Sequence, residues 1–152
     1  MSKADIGLIG LAVMGQNLVL NMNDHGYIVA VFNRTVSKVD KFMESGAKGT
    51  NVIGTHSLEE LVNTLKRPRR VMLMVQAGEP VDKFIEMLIP LLEPGDIIID
   101  GGNSNYNDSI RRTQYLESKG LLFIPVSCSA FQECPPFDSF LLQPIQRIYK
   151  YN

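Results

Sequence analysis

Residues 5–15, Asp-Ile-Gly-Leu-Ile-Gly-Leu-Ala-Val-Met-Gly, run an apolar strand directly into a glycine-spaced turn that opens a helix. Few local patterns leave a chain so little choice of fold. Gly10, Ala12 and Gly15 stand at the three small positions of the G-x-G-x-x-G spacing, with alanine in the middle. Gly10 is expected to permit the tight turn, Ala12 to keep the backbone open to a pyrophosphate, and Gly15 to let the helix press against the strand. Backbone N–H groups at the start of such a helix point toward an anion. An ordinary strand-to-helix turn made of small residues has the same spelling, so the remainder of the chain must decide between the two.

The remainder alternates in the same way. Val13 to about Asp24 has helical spacing and stops at Gly26, and Ile28 to Phe32 is an apolar run of strand formers. Ser37 to about Ser45 follows as a helix. Ser57 and Glu60 have capping-box spacing ahead of a helix that reaches about Leu65. Val71 to Val75 is a strand, and Pro80 opens a helix with Val81, Phe84, Ile85 and Leu88 on one face until Pro94-Gly95 ends the segment. Ile97 to Asp100 is apolar up to its closing acid, as in a parallel strand covered on both faces. A helix over Asn105 to Lys119 and a strand over Leu121 to Val126 complete the series. This order predicts an α/β fold: a doubly wound, mostly parallel Rossmann-like sheet with right-handed crossovers. The fingerprint turn, Asn33-Arg34-Thr35, Gln76-Ala77-Gly78 and Gly101 to Ser104 all follow strand ends, where ligands bind in such sheets.

Composition excludes several classes. A length of 152 residues with 45% hydrophobic content suits one core, and a formal net charge of −1 provides no broad basic footprint for nucleic acid or an anionic membrane. Lys66-Arg67-Pro68-Arg69-Arg70 is read as a solvated connection before a buried strand. No run approaches the ~18 apolar residues of a membrane span. The opening residues lack the apolar core of a secretory signal, so a cytoplasmic location is expected. Cys128 and Cys134 have the spacing of neither a redox pair nor a zinc site and are read as reduced spectators; no metal is expected. His25 and His56 flank helix ends and are read as structural or solvent-facing.

At the end of the second strand, sites that prefer NAD usually carry an acid that bonds the ribose 2′-hydroxyl. Here Asn33 holds that place. Arg34 offers a guanidinium fork for phosphate oxygens and Thr35 a hydroxyl, which predicts NADP over NAD. Gly10-Leu11-Ala12-Val13-Met14-Gly15-Gln16-Asn17-Leu18, Asn21 to Gly26, Asn33-Arg34-Thr35 and Asp100-Gly101-Gly102-Asn103-Ser104 together resemble the amino-terminal domain of the 6-phosphogluconate dehydrogenases over about residues 3–124.

That resemblance implies a set of roles. Gly10, Leu11, Ala12, Val13, Met14 and Gly15 would hold the pyrophosphate, and Asn33, Arg34 and Thr35 the adenosine ribose phosphate. Val75, Gln76 and Ala77 would flank the middle of the cofactor. Asn103 would lie between nicotinamide and substrate, its amide able to donate and accept at once. Asn103 read simply as a helix-entry residue competes with that role, since Ser104 or Asn105 could cap the helix equally well. Gln76 departs from the lysine common in the family, which implies weaker cofactor binding. The family reaction is NADP-dependent oxidation of 6-phosphogluconate at carbon 3, decarboxylation, and protonation to ribulose 5-phosphate, without a metal, in a homodimer.

After Phe123 the resemblance fades. Ile124-Pro125-Val126-Ser127-Cys128-Ser129-Ala130-Phe131 stands where the family has a glycine-rich substrate segment, so the family serine's role is not carried onto Ser129. We expect a nucleotide-binding domain over residues 1–126 and a divergent tail over 127–152 in which Phe137, Phe140, Leu141 and Leu142 cover apolar surface or promote aggregation. The lysine and glutamate that perform acid–base chemistry in the family, and its dimer-forming helical domain, have no counterpart in this sequence. No catalytic residue is therefore assigned, and a truncated form inactive by itself is expected. A 3-hydroxyisobutyrate-type dehydrogenase domain and a non-catalytic NADP-binding module are the competing readings.

Overall fold

The computed structural model describes residues 3–126. Strands and helices alternate along them: β1 Ile6–Ile9, α1 Val13–Asp24, β2 Val29–Phe32, α2 Val36–Glu44, β3 Ile53–Gly54, α3 Leu58–Thr64, β4 Arg70–Leu73, α4 Glu79–Leu88, β5 Ile97–Asp100, α5 Tyr106–Glu117 and β6 Leu122–Pro125. The sheet has the order β3-β2-β1-β4-β5-β6, and every neighbouring pair is parallel. The strand order reverses between β1 and β4, which is where a doubly wound sheet opens a crevice beyond its carboxyl edge.

Strand alternation supplies two cores. Val29 and Val31 of β2 pack with Val19 and Met22 of α1 and with Val39 and Phe42 of α2. Ala30 and Phe32 belong to the opposite face, with Leu61 of α3, Val81 and Leu88 of α4 and Leu116 of α5. Successive side chains of one strand leave on opposite sides, so covering both faces requires the continuous apolar runs seen in β1 and β2. At about 25 cal/mol per Å² of apolar surface removed from water, each fully buried Leu or Ile stabilises the sheet by about 1.5–3 kcal/mol.

Several boundaries move. β4 begins at Arg70 and ends at Leu73, so Met74 and Val75 belong to the following loop. β3 was not expected: Ile53 and Gly54 pair with Ala30 and Val31, and both the Thr55 N–H and its hydroxyl donate to the Val31 carbonyl at 2.9 and 2.8 Å. The solvated reading of the basic stretch needs correction at Arg69. Lys66 and Arg67 are exposed and pair with Asp5 and Glu93, each at 2.7 Å, but Arg69 is buried against Asp96 at 3.2 Å. Asp96 also accepts the Arg69 and Glu93 N–H groups at 2.8 and 2.9 Å, because a buried carboxylate needs several donors.

The helix cap at Ser57 forms, with the Ser57 hydroxyl accepting the Glu60 N–H at 3.0 Å. The Glu60 carboxylate reaches one residue farther back than expected, to the His56 N–H at 2.8 Å. The exposed His56 ring also contacts Asp40 in the middle of α2 at 2.8 Å, and His25, the C-cap of α1, contacts the Asn21 carbonyl at 2.8 Å. Cys128, Ser129, Cys134 and the tail over 127–152 lie outside the described residues.

Candidate functional site

The turn after β1 is built by close approaches. Gly10 has φ +110°, and a Cβ there would lie 2.4 Å from the Met74 carbonyl oxygen. At Gly15 a Cβ would lie 2.0 Å from the Gly10 carbonyl oxygen. The helix start therefore rests on the turn itself, and only glycine permits both contacts. Leu11 turns its side chain into the core, while its N–H donates to Asn33 Oδ1 and its carbonyl accepts Gln16 Nε2, both at 2.9 Å. What Leu11 contributes at the turn is shape.

Ala12 is the N-cap of α1 and has no side-chain oxygen with which to cap it, and the first turn carries no acid. By contrast, α3 is capped by Ser57 and α5 by Asn105, which accepts the Asn107 N–H at 2.9 Å. Ala12, Val13 and Met14 are exposed at the mouth of the turn, Val13 by 78%. An anion thus has room against the N-terminus of α1, whose partial positive charge favours it. The residues present fit a dinucleotide pyrophosphate.

Beyond β2, the Asn33 side chain is occupied twice: Oδ1 holds the Leu11 N–H and Nδ2 donates to the Thr35 carbonyl at 3.1 Å. Asn33 thereby fastens the β2–α2 turn to the β1–α1 turn. Arg34 and Thr35 are exposed beside it, and among the described residues Arg34 belongs to no ion pair. A free guanidinium at this place can grip phosphate oxygens in two parallel bonds.

Beyond β4 and β5 the loops approach one another. Val75 is half-buried, while Gln76 and Ala77 are exposed ahead of Gly78, the N-cap of α4. A Cβ on Gly101 would lie 2.4 Å from Met74 Sδ, and one on Gly102 would lie 3.1 Å from the Val75 carbonyl oxygen. The paired glycines bring Asn103 to the loop holding Val75, Gln76 and Ala77. Asn103 is exposed, and Asn105 takes the capping role that competed for it. The predicted residues thus share one sheet edge, with the Leu11 side chain and the Asn33 amide turned to internal contacts.

A buried polar group under this edge was not foreseen. Arg112, with 1% of its side chain exposed, binds both Asp82 oxygens at 2.8 and 3.1 Å, the Gly78 carbonyl at 3.1 Å and the Ser104 hydroxyl at 3.3 Å. Asp100 lies 3.8 Å from the same guanidinium, accepts the Gly102 N–H at 3.0 Å and accepts the Ser104 hydroxyl. The bond from Arg112 holds the Asp82 carboxyl below its ordinary range against the effect of partial burial, with Arg111 adding to it. The same pairing raises Arg112 although burial works the other way. Nothing in the spacing of Asp82, Asp100 and Arg112 marks them in sequence, because they meet only through tertiary structure. Among the described residues no cluster of three or more His, Cys, Asp or Glu could hold a metal, and no helix is long and apolar enough to cross a membrane.

A parallel sheet of this order, with a glycine turn at the reversal of strand order and an uncapped helix behind it, defines a dinucleotide-binding domain of the dehydrogenase type. The profile for the NAD binding domain of 6-phosphogluconate dehydrogenase matches residues 5–132. The chain belongs to that family. It is 66% identical over 130 residues to the decarboxylating 6-phosphogluconate dehydrogenase of Cunninghamella elegans, covering 86% of this chain and 27% of that protein. The human enzyme of the same name is 62% identical over 133 residues, covering 88% of this chain and 28% of the enzyme. The chain therefore spans about a quarter of the length of the curated relatives it matches. Plasmodium falciparum 6-phosphogluconate dehydrogenase, solved in apo form, with NADP+ and with 6-phosphogluconate, superposes with a TM-score of 0.76 at 44% identity, covering 81% of this chain and 27% of that one. A 3-hydroxyisobutyrate dehydrogenase of Mycobacterium tuberculosis reaches 0.66 at 23% identity over 81% of this chain and 40% of its own, which speaks to the fold alone.

Proposed function

We propose that this chain binds NADP at the carboxyl edge of its sheet and supplies the cofactor-holding part of a 6-phosphogluconate dehydrogenase, acting in the cytoplasm. The observation that carries the reading is Arg34, exposed and outside every ion pair among the described residues, at the strand end where an acid would favour NAD. Gly10, Ala12 and Gly15 supply a turn open to the pyrophosphate, with Val13 and Met14 exposed beside it. Arg34 and Thr35 face the 2′-phosphate, with Asn33 fixing the turn that carries them. Val75, Gln76 and Ala77 line the way to Asn103, whose amide can bond a carboxamide and a sugar-acid hydroxyl together. The chemistry that bound NADP supplies is acceptance of a hydride from 6-phosphogluconate.

No acid–base role is assigned beside Asn103: the Asp100 carboxylate there is taken up by the Gly102 N–H and the Ser104 hydroxyl. A polypeptide of these 152 residues is therefore expected to bind NADPH without turning over 6-phosphogluconate. The division into a domain over 1–126 and a tail over 127–152 is part of the same proposal, as is the absence of nucleic-acid and membrane partners. Fluorescence titration with NADPH and NADH tests it. NADPH should bind at least tenfold more tightly, and Arg34→Ala should remove about tenfold from NADPH affinity while leaving NADH unchanged. Equal affinities in the unaltered protein would refute the assignment.

A further inference from the structure

The contacts of Arg112 have a direction. From its place on α5 it reaches Asp100 at the end of β5, Ser104 in the loop that follows, and Gly78 and Asp82 at the start of α4, and these surround the one loop that presents Asn103. Asp100 grips both sides of that residue: one oxygen accepts the Gly102 N–H at 3.0 Å, and the other accepts the Ser104 hydroxyl. Asn103 itself remains exposed between two fastened neighbours. Arg112 then holds Ser104 from beneath at 3.3 Å and the loop carrying Gly78 at 3.1 Å, so one guanidinium spans both loops that follow β4 and β5. A fork with several fixed donors can do this where a lysine ammonium cannot.

We propose that Arg112 is a positioning residue for the nicotinamide end of the dinucleotide site: braced by Asp82, it sets the Asp100–Ser104 loop and the Gly78 loop in register so that Asn103 meets the cofactor. The proposal rests on the NADP reading above. It assigns Arg112 no contact with ligand, since its side chain is almost wholly covered. The adenosine end depends on different parts, namely the β1–α1 turn and Arg34, which share no hydrogen bond with this group among the described residues. Loss of Arg112 should therefore harm one end of the site and spare the other.

Two ligands separate the ends. Adenosine 2′,5′-bisphosphate carries the 2′-phosphate but no nicotinamide, whereas NADPH carries both. In Arg112→Lys and Arg112→Met, 2′,5′-bisphosphate affinity should stay within about twofold of the unaltered chain. The margin by which NADPH binds more tightly than the bisphosphate should fall about fivefold or more, the worth of at least one hydrogen bond. The fluorescence enhancement of bound NADPH, which reports the nicotinamide surroundings, should fall with it. Asp82→Asn leaves the shape intact and should move both readouts in the same direction by less. If all three variants lose both ligands in equal proportion, Arg112 merely supports the fold and the proposal is overturned. Unchanged NADPH affinity and fluorescence in Arg112→Met would overturn it as well. Failure of the unaltered chain to bind the bisphosphate would overturn the NADP reading instead.

Discussion

Replacing Gly15 by alanine adds a single methyl group where the helix start meets the turn. Its Cβ would lie 2.0 Å from the Gly10 carbonyl oxygen, and contacts below 3.0 Å are essentially never tolerated, so the two segments must separate by at least about 1 Å. Neither side can rotate away, because both contacting groups are attached directly to backbone. Overfilling of this kind costs about 1–3 kcal/mol, and the rigidity of the contact places it toward the upper end. Removing a glycine from a helix returns about 0.5–1 kcal/mol. The repulsion wins, leaving a net loss of about 2 kcal/mol.

The larger effect should fall on binding. A shift of about 1 Å moves the N–H groups at the start of α1 away from the pyrophosphate, and each bond to a charged group is worth about 1.5–3 kcal/mol. NADPH should bind about 10- to 100-fold more weakly. Gly26→Ala provides the control: φ is +90° and no atom lies within 4 Å of the added Cβ, so only the backbone conformation costs energy, about 1–2 kcal/mol. Urea unfolding gives the stability change and fluorescence titration the affinity. Gly26→Ala should lose stability with affinity intact, whereas Gly15→Ala should lose both. Unaltered NADPH affinity in Gly15→Ala would refute the close-approach reasoning whatever happened to its melting temperature.

Ser57→Ala should lower the urea midpoint by an amount equivalent to about 1 kcal/mol with the slope unchanged, since it removes the hydroxyl that accepts the Glu60 N–H; no change would mean that the cap contributes nothing. Asp82 is held below its ordinary range first by its bond to Arg112, so its contribution is complete above the unfolded value near ~3.9 and fades as pH falls through the lower folded value. Stability measured between about pH 5 and pH 2 should therefore fall less steeply in Asp82→Asn than in the unaltered chain, from a lower starting level at neutral pH; parallel acid limbs would contradict this. Asp5 is shifted in the same direction: burial pushes it upward, but the Lys66 bond and the Ile28 N–H outweigh that push.

The fold was legible wherever local pattern and tertiary burial agree. Val29 to Phe32 and Ile97 to Ile99 are continuous apolar runs because both faces are covered, and their order with the helices implied the parallel sheet. Ile53 and Gly54 escaped because two residues carry no periodicity. Gly54 serves a packing need instead: a Cβ there would lie 2.8 Å from Met43 Cγ of α2. At the site, the glycine turn and Arg34 were readable from spacing alone. That Asn33 would be consumed in fastening two turns together was not readable, because its partner Leu11 is 22 residues away. Arg69 and Arg112 show the same limit: an arginine in a polar stretch looks solvated until a distant carboxylate brings it inside.

The two ends of the site solve different electrostatic problems. Beyond β4 and β5, Asp82 and Asp100 are matched by Arg111 and Arg112, so charges that fix the loops cancel locally and leave little field for an arriving anion. Beyond β2, Arg34 is not matched in this way among the described residues. On the proposed NADP reading, an asymmetric dinucleotide with an extra phosphate at one end would be drawn by charge to β2 and held by shape at β5. That division also explains why an alanine is acceptable at position 12. On that reading Arg34 would attract the 2′-phosphate and the helix start the pyrophosphate, so the middle position of the turn would need only to remain small.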